Sequence, residues 1–122
     1  MTKTQAQQLF WSSFGLTAYS DAAVPTGAKE PYITYETVLS GFGDGDIPVS
    51  ASLWYNSKSL SDIHCKAQEI YDMIGEGGMT VKTDTGFMWV KRQAEFARDT
   101  DGGGGRDTRR TLLNVFIEFI DR

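Results

Sequence analysis

A chain of 122 residues with 40% hydrophobic and 23% charged side chains has the length and composition of one globular domain, and at that size it can bury a core of its own. Its formal net charge of −4 lacks the basic footprint of a free nucleic-acid-binding domain, so no sequence-specific nucleic-acid partner is expected. Cys65, the one cysteine, excludes an internal disulfide, and no apolar run reaches the ~20 residues of a membrane helix.

The first residues hold one lysine and a polar stretch without an apolar core, so a signal peptide is not expected and synthesis in the cytosol is. Residues 2–19 predict a helix, with Leu9, Phe10 and Phe14 on one face and Trp11 beside them. Gly15 weakens it, and Ser20, Asp21, Pro25 and Gly27 end it in a polar connector over 20–30. Residues 31–40 are rich in β-prone side chains (Tyr32, Ile33, Tyr35, Val38) and predict a strand. After the turn-rich run Gly41-Phe42-Gly43-Asp44-Gly45-Asp46, Ile47, Val49, Ala51, Leu53 and Tyr55 alternate with polar neighbours, a second strand with one apolar face. Pro48 belongs at its start or on an edge.

Ser59 and Asp62 are spaced to cap a helix over 60–74, whose Ile63, Ala67, Ile70 and Ile74 form one stripe. Gly75, Gly77 and Gly78 stop it. Residues 79–83 and 87–97 read as strands, the second bent near Gln93. The run over 98–107 holds four consecutive glycines and no apolar residue, so it predicts a mobile Gly-rich loop. Residues 108–120 are apolar on both faces (Leu113, Val115, Ile117, Phe119 against Leu112, Phe116, Ile120), a strand covered on both sides by helices or by a neighbouring subunit. The expectation is a single domain over 1–122 of the α+β class. It has a mostly antiparallel sheet of about five strands, with two amphipathic helices on one face, in the order α-β-β-α-β-β-β.

Chemistry is sparse. His64 and Cys65 are adjacent, point about 100° apart on a helix and cannot readily share a metal or form a nucleophile pair, so a surface histidine and a partly buried thiol are expected. Asp44-Gly45-Asp46 lacks the further ligands of a calcium loop, and Gly102–Gly105 lacks the lysine and helix of a phosphate cradle. No catalytic, metal or cofactor-binding residue is assigned, and an enzyme is not expected. Interface candidates are Trp54 with its neighbour Tyr55, and the arginines Arg98, Arg106, Arg109 and Arg110, which are offset by Asp99, Asp101 and Asp107. Trp54 lies opposite the apolar alternation of its strand, either as an exposed anchor or beneath the first helix.

This order of elements resembles the tail terminator (tail completion, head–tail joining) proteins of long-tailed bacteriophages. The residues that carry it are the Pro31-Tyr32-Ile33-Thr34-Tyr35 opening, the strand ending in Trp54-Tyr55, the helix with Ser61-Asp62-Ile63, Ala67, Ile70 and Ile74, and the closing strand over 113–120. The likeness is organisational, covers roughly 5–121 and has no signature motif. It implies a structural virion protein of the tail or neck, made in the bacterial cytoplasm. Such a protein forms a hexameric ring, caps the major tail tube protein, and meets the head–tail connector without a cofactor. Another neck or head-completion protein, or a small host ligand- or protein-binding module, remains the alternative.

Overall fold

In the computed structural model, which describes residues 1–103 and 105–121, the apolar periodicities resolve into two helices and six strands. They are α1 (Lys3–Ser12), β1 (Thr17–Ser20), β2 (Tyr32–Tyr35), β3 (Ile47–Asn56), α2 (Ser61–Ile74), β4 (Met79–Lys82), β5 (Gly86–Asp101) and β6 (Thr108–Asp121). The fold is α+β. Its one sheet has the order β1-β2-β3-β6-β5-β4, with β1 and β2 parallel and every other pair antiparallel.

Three expectations need correction. The first helix stops at Ser12, and the chain turns at Gly15 (φ +85°) and enters β1. Thr17-Ala18-Tyr19 satisfies its backbone on β2 in place of another helical turn, making a sixth strand and the one parallel pair. Leu9 then faces solvent, 49% exposed, while Ala6, Phe10, Trp11 and Phe14 enter the core. The 98–107 run is strand as far as Asp101, because Arg98–Asp101 pair with Leu112, Thr111, Arg110 and Arg109. Only 102–107 connects β5 to β6, and Gly104 lies outside the described residues. The cap expected at Ser59 is displaced: Leu60 is the N-cap of α2 without a side-chain bond, and Ser59 Oγ accepts from Ser61 N at 3.0 Å. The capping box sits on α1, where Thr2 and Gln5 bond each other's backbone N–H.

Alternation along the strands builds the core. Ile33, Val49, Ala51, Leu53, Met88, Val90, Leu113, Val115, Ile117 and Phe119 point to one side and pack on Ala6, Phe10, Trp11, Ile63, Ile70 and Ile74 of the helices. The sheet curls around α1, which touches β1 at one edge and β4 at the other. Gln7, fully buried, ties α1 to the 36–46 loop: its Oε1 accepts from Val38 N at 2.9 Å and its Nε2 donates to Val38 O at 2.8 Å. Gly86 opens β5 where a Cβ would stand 1.9 Å from the Ile120 carbonyl oxygen, so any side chain there would push β5 off β6. Between Arg92 and Ala97 the β5–β6 register shifts, and this bulge bends the strand near Gln93 as expected. Amides seal it: Gln93 Nε2 donates to Val115 O and Asn114 Nδ2 to Glu95 O. Among the described residues no helix is long and apolar enough to cross a membrane.

Candidate interaction surface

The even-numbered side chains of β6 point away from both helices. On this bare face Arg110 lies between Trp54 of β3 and Thr100 of β5, and Leu112 between Ser52 and Arg98. Farther along, Phe116 lies between Pro48 and Lys91. Leu112, Phe116 and Ile120 are half-buried there.

At one end, an aromatic row crosses four strands. Tyr19 meets Tyr32 edge-on at 5.7 Å between ring centroids, and Tyr32 stacks on Trp54 at 6.2 Å. The Arg110 guanidinium closes the row, 4.7 Å from the indole centroid. Trp54 Nε1 donates to Thr34 Oγ1 at 2.9 Å and Arg110 Nε to Ser52 Oγ at 3.0 Å, so both are held in orientation by their sheet neighbours. Among the described residues Arg110 makes no ion pair. Burial, with the Glu30 carboxylate nearby, pushes the Tyr32 hydroxyl above its ordinary pKa. Trp54, Arg110, Tyr32 and Thr34 line a recess of about 380 Å³ together with Asp21 and Glu36. At the other end of the face, Lys91 lies 4.1 Å from the Trp89 ring centroid and bridges Asp46 (2.5 Å) and Glu118 (3.2 Å).

The six interface candidates divide among three places. Trp54 and Arg110 come together, and Arg98 shares their face on β5, paired with Glu95 at 2.5 Å. Tyr55 lies on the helix side, packed against the core. Arg109, opposite it, donates to the carbonyls of Ser57 and Lys58 and so holds the β3–α2 loop. Arg106 stands exposed in the β5–β6 connector. Tyr19, Tyr32 and Lys91 were not among the interface candidates, because strand pairing alone sets them beside the tryptophans.

The helix side holds a second feature that local sequence does not reveal. α2 and the β5 bulge enclose an open groove of about 390 Å³, floored by Ala67, Tyr71, Ala94, Phe96 and Ala97. At its rim His64 Nε2 lies 2.8 and 3.0 Å from the Asp99 carboxylate oxygens, and Thr111 Oγ1 donates to Asp99 at 2.8 Å. Partial burial pulls Asp99 upward, but the hydrogen bonds from His64 and Thr111 outweigh it and hold the carboxyl below the usual range. The threonine and histidine both bond the carboxylate and not each other, which is not the hydroxyl–imidazole–carboxylate order of a nucleophile triad. Cys65, expected to be partly buried, is exposed. Among the described residues no cluster of three or more His, Cys, Asp or Glu could hold a metal ion. Compared with protein-family models, curated proteins and solved structures, the chain matches none of them.

Proposed function

We propose that the chain is a structural assembly protein of a long-tailed bacteriophage, a tail terminator that joins copies of itself into a ring, caps the tail tube and meets the head connector. The observation that carries this reading is the bare face. An ordinary one-sided antiparallel sheet turns a polar surface to water, whereas this one sets Tyr19, Tyr32, Trp54 and Leu112 beside Arg110, which has no ion-pair partner among the described residues, with Phe116 farther along the same face. Aromatic and arginine side chains held in place by their neighbours are the residues that anchor protein interfaces. The resemblance in element order to the tail terminators supplies the kind of assembly, and another neck or head-completion protein is the near variant.

The test is light scattering and electron microscopy of the chain alone and mixed with polymerising major tail tube protein. The wild-type chain should form rings, alone or on tube ends, and halt tube growth. Trp54→Ala combined with Arg110→Ala should leave the circular dichroism spectrum intact and weaken capping at least about tenfold. A monomer indifferent to tube protein overturns the reading in favour of a small ligand- or protein-binding module.

A further inference from the structure

We propose that the β2–β3 loop of one copy, through Leu39 and Phe42, docks into the α2–β5 groove of a second copy, a contact that rests on the ring-forming reading above. Leu39 and Phe42 are the two most exposed large apolar side chains among the described residues, at 73% and 67%. Single exposed apolar residues are ordinary, but this pair stands on a loop whose base is pinned. Lys3 Nζ donates to Ser40 O at 2.6 Å and to Asp121 Oδ2 at 3.0 Å, and Phe42 N donates to the same Asp121 oxygen at 3.1 Å. Within the loop, Asp44 accepts from Ser40 Oγ and Gly41 N. Little backbone ordering entropy is left to lose at Phe42 when a side chain so presented enters a partner.

The groove suits that knob in size and chemistry. Its alanines stand beside the exposed Tyr71 ring, which meets the buried Phe96 ring edge-on at 5.6 Å, an apolar surface beside which a further aromatic ring can pack. Charges match as well. A neighbouring recess shares Tyr71 and Ala94 with the groove and is lined by Arg92, whose guanidinium lies 3.7 Å from the Tyr71 ring centroid, donates to Tyr71 O at 3.2 Å and makes no ion pair among the described residues. The other charged groups facing the groove are His64 paired with Asp99, and Glu76 near Arg92. The knob brings Asp44, also outside any ion pair among the described residues. Knob and groove belong to different parts of the chain, so the contact is heterologous and repeats from copy to copy, closing into a ring when the rotation allows.

Disulfide trapping tests the contact directly. In a Cys65→Ser background, a chain carrying both Phe42→Cys and Ala94→Cys should oxidise to a ladder of linked copies on a non-reducing gel, while each single-cysteine chain stays unlinked. Phe42→Asp should weaken ring formation at least about tenfold without moving Tm. Asp44→Arg and Arg92→Asp should each weaken it, and together restore it. No ladder, with rings surviving Phe42→Asp, overturns the contact and leaves the terminator reading standing. A linked dimer from the Phe42→Cys chain alone would indicate a two-fold contact and also overturns it. A ladder without arrest of tube growth upholds the contact and removes the terminator reading. A wild-type chain that stays monomeric throughout overturns both.

Discussion

Two sides of one strand divide the molecule. On β6, Leu113, Val115, Ile117 and Phe119 are sealed against the helices, while their neighbours Leu112, Phe116 and Ile120 are half-covered on the opposite face. Both sets are apolar, yet only the first has a partner layer in its own chain. The odd positions hold the fold together, and the even ones stay partly open among the described residues. An apolar pattern on both faces of a strand therefore says how many layers the strand needs without saying which chain supplies them.

The sharpest way to break that comparison is to truncate one residue from each side. Ile117→Ala removes a fully buried side chain and should cost about 2–5 kcal/mol in urea unfolding. Phe116→Ala should cost about 1 kcal/mol or less, while weakening self-association seen by light scattering. Equal losses of stability would make the bare face part of the core and end the distinction. A smaller effect sharpens how the sealed side is closed. Gln7→Ala strands the Val38 N–H and carbonyl that Gln7 holds, and should cost about 1–3 kcal/mol. An unchanged melting curve would mean that water replaces the amide and that α1 is tied down by packing alone.

The smallest effect concerns acid. The Asp121 carboxyl is held below its ordinary range first by the Thr85 hydroxyl and then by Lys3, and Asp44 first by Ser40 and then by the Gly41 N–H. Depressed carboxyls favour the fold when ionised, so their contribution is complete above the unfolded value of about 3.9 and disappears as pH falls through the lower folded values. Amide exchange in the 39–46 loop should thus be independent of pH, after correction for intrinsic rates, from neutrality to about pH 5. It should quicken below about pH 4, and Asp121→Asn should show the fast exchange already at neutrality. Exchange in the variant as slow as in the wild type would mean that the loop is not pinned through this carboxylate.

The elements with strong local periodicity were legible from sequence. α2 carries its stripe of Ile63, Ala67, Ile70 and Ile74, and β3 and β6 carry long alternations, all found within a residue or two of their observed ends. β1 was not legible, because four residues hold too short a pattern and its ladder depends on β2 across the whole connector. Arg98–Asp101 were misjudged for a related reason. Their side chains are polar, and they extend β5 because β6 offers backbone partners and because Asp99 finds His64 and Thr111. On the bare face, the alternation of β3 sufficed to turn Trp54 away from the core. That Arg110 lies across its ring and Tyr32 stacks against it follows from the register of three strands distant in sequence. The groove follows from a bulge, and only the bend near Gln93 hinted at it.

The bracing of α1 has a consequence for the order in which the protein assembles. The helix spans both sheet edges, joins Val38 through Gln7, and reaches Asp121 on β6 through Lys3. α1 is therefore completed by a strand whose Asp121 lies 118 residues beyond Lys3, and contacts so far apart along the chain are slow to form. Until β6 is in place, Phe10 and Trp11 have no finished core to enter, and a growing chain carries them uncovered.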